Sequence, residues 1–96
     1  IITGGEKPHI GSVTLSIPRP SLADAEKTSA TTSVLNVPGH KDEEAARKIS
    51  HTLSARFKKN VAAICGIHLD NITDDEINET LRLIDCITEQ LLQEQV

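Results

Sequence analysis

From Ile10 to Ile17, and most regularly after Gly11, apolar residues alternate with small hydroxyl-bearing residues. This period of two predicts a half-buried β-strand whose apolar side faces the core. The polar side is then open to solvent or to a second subunit. The apolar side carries Val13, Leu15 and Ile17, and the polar side carries Ser12, Thr14 and Ser16, with Thr32 beside them on the next strand.

A second strand is predicted at Ala30–Val37, where threonine and valine recur. Pro18-Arg19-Pro20 is expected to end the first strand, because proline cannot donate to a ladder. Residues 21–29 then form a polar, mobile connection, and Pro38-Gly39 ends the second strand. These two strands are expected to pair antiparallel. Ile1-Ile2-Thr3 resembles the end of a further strand that would begin before Ile1.

An amphipathic helix is predicted at Lys41–Lys59. Its apolar residues recur in steps of four from Ala45 to Phe57, which places them on one stripe. Acidic residues begin this segment and basic residues end it, so both ends complement the helix dipole. The following run, Val61–Ile67, is nearly continuously apolar, as is typical of a strand covered by helices.

A second helix is predicted to begin at the capping box Thr73-Asp74-Asp75-Glu76. The order β-β-α-β-α predicts an α+β fold: a small, mostly antiparallel sheet with both helices packed on one face. One domain accounts for residues 1–96. The inward side of the second helix carries Ile77, Leu81, Ile84 and Leu91, widened by Cys86, Ile87 and Leu92.

Composition limits the class of partner. The formal net charge is −4 and Phe57 is the sole aromatic residue, so the chain has neither the basic surface nor the stacking platforms of nucleic-acid-binding proteins. No apolar run reaches the roughly 20 residues that cross a bilayer, and no segment resembles a signal peptide. The sequence therefore predicts a cytoplasmic protein with no nucleic-acid or membrane partner.

Chemistry on the chain itself is not indicated. Cys65 and Cys86 lie in apolar periodic segments without metal-ligand spacing, which favours two buried, reduced thiols. No motif joins a nucleophile, a base and an orienting group. The sequence predicts a binding or assembly module rather than an enzyme.

Three histidines, His9, His40 and His68, fall in turns or at strand ends, whereas His51 is expected to be a half-exposed helix residue. If the loops meet, these imidazoles and Asp70 would form a divalent metal site, but closely spaced ligand pairs are absent, so the pattern favours ordinary turn residues.

An anion site is a second possibility for the same loops. Gly4-Gly5 with Lys7, and Gly39-His40-Lys41 at a helix start, supply backbone amides and positive charge. The acidic residues 42–44 oppose an anion there, so ordinary glycine turns are the favoured interpretation.

Three segments together resemble the bacterial prenylated-flavin chaperone family typified by LpdD: Gly4-Gly5-Glu6-Lys7-Pro8-His9-Ile10-Gly11, Pro38-Gly39-His40-Lys41, and Gly66-Ile67-His68-Leu69-Asp70-Asn71-Ile72-Thr73. The resemblance covers nearly the whole chain. It implies a fold similar to that of eukaryotic proteasome assembly chaperones, and an association with UbiD-type hydroxyarylic acid decarboxylases.

The implied role is that of an accessory protein which helps a UbiD-type apoenzyme acquire or keep prenylated FMN, by binding the cofactor, the apoenzyme or both. A homo-oligomer, most simply a dimer, is also expected. The residues carried over as cofactor-binding candidates are Gly4, Gly5, His9, Gly11, Gly39, His40, His68, Asp70 and Asn71.

Two alternatives belong to other functional classes. The chain would be a homo-oligomeric interaction module without a cofactor if the three loops lay far apart. It would be a small metal-dependent or phosphate-binding enzyme if its histidines lined one pocket.

Overall fold

A computed structural model describes residues 1–5, 10–36, 42–68 and 73–94. Four strands and two helices follow one another in the order β-β-β-α-β-α. The α+β class is confirmed, and a short strand precedes the predicted order β-β-α-β-α at the place where the sequence indicated the end of a further strand. The elements are β1 (Ile2–Gly5), β2 (Ser12–Pro20), β3 (Thr28–Asn36), α1 (Glu43–Phe57), β4 (Val61–His68) and α2 (Asp74–Glu94).

The sheet has the strand order β1-β4-β2-β3. β2 pairs antiparallel with both β3 and β4, whereas β1 pairs parallel with β4, so the sheet is mostly antiparallel as expected. The residues Ile2 and Thr3, expected to end a strand, lie in β1. Central β4 fits its continuous apolar run, since strands flank it on both sides and helices cover one face.

β2 continues through Pro18 and ends at Pro20, so the first proline does not stop the strand. Pro18 pairs with Ala30 and Pro20 pairs with Thr28, so the β2–β3 ladder continues through both residues. The pairing of β2 with β4 stops at Ser16. Beyond that point β2 has no described neighbour on its β4 side, and a proline nitrogen that faces this side loses no ladder bond.

The predicted orientation of β2 is wrong. Ser12, Thr14 and Ser16 are buried beneath α1, and Leu15 and Ile17 lie on the outer, exposed side. The cause is the buried surface of α1, which consists of small residues except for Ile49 and so accepts hydroxyls in place of bulky side chains. These residues are Ala45, Ala46, Ile49, Ser50 and Ser54.

Hydrogen bonds compensate the burial of the Thr14 and Ser16 hydroxyls, whereas the buried Ser12 hydroxyl has no hydrogen-bond partner within the described residues. Thr14 Oγ1 donates to the carbonyl oxygen of Ala46 at 3.1 Å and lies 2.8 Å from Ser50 Oγ. Ser16 Oγ donates to Ser50 Oγ at 2.8 Å and lies 2.7 Å from Thr32 Oγ1. Because buried hydroxyls are costly only when unpaired, this network lets α1 pack on a polar strand surface.

The hydrophobic core lies between β4 and the helices. Ala45, Ala46 and Ile49 of α1 meet Ala63 and Cys65 of β4 and Ile84 of α2. Both helices therefore lie on one face of the sheet, as the pattern predicted. The capping box at the start of α2 is also confirmed, since the Glu76 amide donates to Thr73 Oγ1 at 3.2 Å and the Thr73 amide to Glu76 Oε1 at 3.3 Å.

The outer face of the sheet is largely aliphatic, and none of the described helices or strands covers it. Leu15, Ile17 and Leu35 are 44%, 49% and 74% exposed. The register places Val13 between Leu35 and Ile64, and Leu15 between Ser33 and Ala62. We call Val13, Leu15, Ile17, Leu35, Ala62 and Ile64 the outer apolar face.

Candidate functional site

The strands that carry the three glycine- and histidine-bearing segments meet at one end of the sheet. Gly5 pairs with His68 at the end of β1 and β4. Ser12, at the start of β2, pairs with both Asn36 and Cys65. Segments 6–9, 37–41 and 69–72 thus all adjoin this end, which we call the loop end.

The candidate residues fall into two groups. Gly4 and Gly5 lie in β1, His68 ends β4, and Gly11 is buried just before β2. These four are brought together by the strand pairing. The others, His9, Gly39, His40, Asp70 and Asn71, lie outside the described residues and stay predictions.

Asp42 belongs to the loop end although its role was missed from the sequence. It precedes α1, is only 6% exposed, and its Oδ1 accepts a hydrogen bond of 2.9 Å from the Ile67 amide of β4. Its carbonyl oxygen accepts from the Ala46 amide at 3.0 Å. Asp42 therefore ties the start of α1 to β4. The signal was hidden because an acidic residue at a helix start is already explained by the helix dipole.

Gly11 is required by the position of Asp42. A Cβ atom built on Gly11 would lie 1.7 Å from Asp42 Oδ2 and 3.2 Å from Asp42 Cβ. The Gly11 amide donates to the carbonyl oxygen of Cys65 at 2.8 Å. The backbone of this motif is thus held against β4, and only glycine leaves room for the carboxylate.

The two cysteines differ, so the expectation of two buried thiols is half wrong. Cys65 is fully buried in the core, but Cys86 is exposed on α2. Burial, with the Asp42 carboxylate nearby, raises the pKa of the Cys65 thiol to about 11. This thiol stays protonated at neutral pH and has no nucleophilic role there.

Metal coordination finds no support among the residues described. Within them, no group of three histidine, cysteine, aspartate or glutamate side chains is arranged to hold a metal ion. The hypothesis drawn from His9, His40, His68 and Asp70 involves positions beyond that part and stays untested. In the part of the chain that the structure describes, neither helix is long and apolar enough to span a membrane.

A family model for the prenylated flavin chaperone LpdD-like domain matches residues 1–95. The chain belongs to this family. The match includes all three resembling segments and every element of the fold. An LpdD-like domain indicates a chaperone role connected with prenylated flavin. None of the curated proteins compared with the chain matches it significantly, and the likeness to proteasome assembly chaperones stays a prediction.

Proposed function

We propose that this LpdD-like protein binds prenylated FMN at the loop end and delivers it to a UbiD-type decarboxylase apoenzyme in the cytoplasm. The observation that carries the proposal is the meeting of the described strand ends from which the family's three segments continue. Gly5, Gly11, Asn36 and His68 lie on neighbouring strand ends. A ligand held by several loops of one rigid scaffold is the common arrangement of binding sites.

The described part of the loop end suits the polar half of such a cofactor. The first turn of α1 presents its amides there, although the carboxylates of Asp42, Glu43 and Glu44 at the same helix start oppose an anion. Backbone amides at a helix start are suited to phosphate. The charge of nearby Glu43 is engaged, since it accepts from Asn36 Nδ2 at 2.7 Å and pairs with Arg47.

The flavin ring would need apolar contacts, in contrast to the backbone amides proposed for the phosphate. Phe57 lies in the last turn of α1, at the opposite end from Asp42. Ile10, next to Gly11, is 58% exposed and is the side chain proposed to cover the ring. A site with so little aromatic surface suits transient holding, and the apoenzyme supplies the remaining contacts in this proposal.

An accessory role without catalysis follows from the same features. The Cys65 thiol is buried and protonated, and the described loop end combines backbone amides with one buried carboxylate. Prenylated FMN supplies its chemistry in the decarboxylase. The part proposed for this chain is to bind the cofactor, to shield it from water and to release it.

Titration with prenylated FMN is expected to raise the melting temperature, whereas ordinary FMN at the same concentration should raise it less. A ligand that binds only the folded state stabilises it by about 2.7 kcal/mol at a hundredfold excess over Kd. Thermal unfolding and flavin absorbance measure the effect. A melting temperature unchanged by prenylated FMN would contradict the cofactor step, and mixing with apoenzyme then tests the partner step.

Histidine variants locate the site within this experiment. His9→Ala, His40→Ala and His68→Ala are expected to weaken cofactor binding while changing stability by about 0.5 kcal/mol or less, since the sequence predicts all three as loop or strand-end residues and surface changes usually have small effects. His51→Ala is the matched control because His51 lies on α1 beside Thr32, away from the loop end. Equal loss of binding in all four variants would argue against the loop end.

Self-association through the outer apolar face is the second part of the proposal. The face is continuous across β2, β3 and β4 and its six aliphatic residues carry no charge, so two copies meet there without like-charge repulsion. An exposed apolar patch of this kind marks an interaction surface, and a two-fold dimer buries the same patch on both copies. The proposed assembly is a dimer.

Leu15→Asp is expected to convert this dimer to a monomer, because it places a charge at the centre of the outer apolar face. Light scattering coupled to size-exclusion chromatography gives the mass directly. Leu22→Asp is the control, since Leu22 is 92% exposed in the β2–β3 loop, beyond the face. A wild-type protein that is monomeric at every concentration would refute the dimer.

A further inference from the structure

The outer apolar face reaches the loop end at one row of residues. Val13 of β2 pairs with Leu35 of β3 on one side and with Ile64 of β4 on the other. Residues that lie directly opposite each other on neighbouring strands share a face of the sheet. Val13 follows the first residue of β2, and Leu35 precedes the last residue of β3. We call Val13, Leu35 and Ile64 the loop-end row.

The loop-end row contains the most exposed of the measured aliphatic side chains on this face. Leu35 is 74% exposed, against 44% for Leu15 and 49% for Ile17. The row itself carries no charge, and Leu15 and Ser33 beside it on the same face carry none either. Covering an aliphatic side chain of this exposure with a flat apolar ligand is favourable. The apolar surface therefore extends to the end of the sheet from which the family's segments continue.

The opposite side of the sheet is closed where α1 meets the loop end. Cys65 and Ala46 are fully buried, and Asp42 is only 6% exposed, with its Oδ1 accepting from the Ile67 amide. Even a Cβ atom on Gly11 would strike Asp42. A flavin ring therefore has no space between α1 and β4 unless the two elements separate.

Charge also favours the outer side of the sheet. Both helices begin at the loop end with acidic residues, and burying a carboxylate beneath an apolar ring costs free energy. A ring on the loop-end row covers no described charge and avoids this cost. The acidic residues at the helix starts are Asp42, Glu43, Glu44, Asp74, Asp75 and Glu76.

The loop-end row lies close to the start of α1. Asn36 directly follows Leu35, and successive residues of a strand point to opposite faces. Asn36 Nδ2 donates to Glu43 Oε2, in the first turn of α1, at 2.7 Å. A ligand that passes over the end of β3 thus reaches from the outer face to that turn. The ribityl chain of the cofactor has this course when its phosphate meets the α1 amides and its ring stays on the outer face.

We propose that the flavin ring of prenylated FMN lies flat on the loop-end row, on the side of the sheet away from the helices. This inference rests on the proposed function, which supplies the ligand. The prenyl group adds apolar surface to the ring, and its contact with Leu35 favours prenylated over ordinary FMN. A second copy would cover the same row, so each binding event weakens the other. The loaded form is then a monomer and the dimer is the empty form.

Methyl NMR of the unaltered protein locates the ring. Titration with prenylated FMN is expected to move the methyl signals of the loop-end row upfield, because an aromatic ring shields the protons above its plane. The signals of Ile17, four residues further along β2, and of Ile49 in the core should move much less. Shifts confined to Ile77 and Leu81, on the helix side, would overturn the proposal.

A pair of variants on the same face measures the contribution of the row. Leu35→Ser is expected to weaken the binding of prenylated FMN about tenfold and to narrow its preference over ordinary FMN. Ile17→Ser is the matched control, since Ile17 is an exposed aliphatic residue at the other end of the face. It should bind the cofactor no more weakly than the wild type. Equal losses in the two variants, or no loss in Leu35→Ser, would count against the row.

Light scattering tests the competition with a second copy. Saturating prenylated FMN is expected to lower the mass towards that of one chain. A loaded protein that keeps the mass of a dimer would overturn the proposal, because a second copy would then cover the row. If prenylated FMN does not bind at all, the cofactor step of the proposed function fails. If it binds and the signals of the row do not move, only this inference fails.

Discussion

Gly11→Ala is expected to lower the free energy of unfolding by about 2–4 kcal/mol, a large loss for a domain of this size. The added methyl group would lie 1.7 Å from Asp42 Oδ2, and rotation of the carboxylate relieves little because Asp42 Cβ is itself 3.2 Å away. Asp42 would have to leave the Ile67 amide, and the start of α1 would separate from β4. Chemical denaturation followed by circular dichroism measures the loss.

A double-mutant cycle identifies the cause. Asp42→Ala alone should destabilise the protein by leaving the Ile67 amide without its acceptor. Combined with Gly11→Ala, it removes the group that the new methyl strikes, so the double variant should be more stable than the sum of the two single losses predicts. Strict additivity would show that Gly11 is needed for some reason other than Asp42.

Ser50→Ala is expected to destabilise the fold by about 1–3 kcal/mol, although it removes only one oxygen atom. Ser50 Oγ lies 2.8 Å from both Thr14 Oγ1 and Ser16 Oγ, and all three residues are buried. Without Ser50, the Ser16 hydroxyl loses its acceptor in a site that excludes water. Thermal and chemical unfolding both report the change.

Ser54→Ala is the matched control for this prediction. Ser54 lies one turn further along α1 and is equally buried, but within the described structure its hydroxyl has no hydrogen-bond partner. Its replacement should be neutral or stabilising, because a buried unpaired hydroxyl costs free energy. Equal destabilisation by both variants would mean that shape at the helix–sheet contact matters and hydrogen bonding does not.

Local signals in the sequence predicted most of the elements. The four-residue step from Ala45 to Phe57 and the Thr73 capping box depend on contacts within one helix, and both helices form as expected. The apolar run at Val61–Ile67 likewise forms β4. The strand Ile2–Gly5 was seen only in part because its pairing partner, β4, lies about sixty residues away in the chain.

Local sequence signals could not predict which side of β2 is buried. Alternation shows that a strand has two different sides, but which side is covered depends on the element that packs on it. The small residues Ala46, Ser50 and Ser54 on α1 decide the matter here, and their meaning appears only when Thr14 and Ser16 are placed against them. The contact between α1 and β2 is held by hydrogen bonds between the two elements. The sequence pattern of either element alone does not predict such bonds.

The candidate site also contains residues that the sequence indicated and residues that it did not. Strand pairing and the hydrogen bond from the Gly11 amide to Cys65 bring Gly11 and the ends of β1 and β4 to one end of the sheet, and the role of these residues in binding a cofactor stays a prediction. Asp42 was missed since its contact with Ile67 spans 25 residues. His51 was expected to be an ordinary half-exposed residue, and its bond to Thr32 depends on the reversed facing of β2 and β3.

The hydroxyl-lined contact between α1 and β2 has a consequence for the heat capacity of unfolding. Exposure of apolar surface raises that quantity and exposure of polar surface lowers it. Here unfolding releases Ser12, Thr14, Ser16, Ser50 and Ser54 from burial, while part of the aliphatic surface of β2 and β3 is already in water. We therefore expect a small heat capacity change on unfolding for a single copy, so that its free energy of unfolding varies little with temperature. Burial of the outer apolar face in a dimer would increase the heat capacity change and make the free energy of unfolding depend more strongly on temperature.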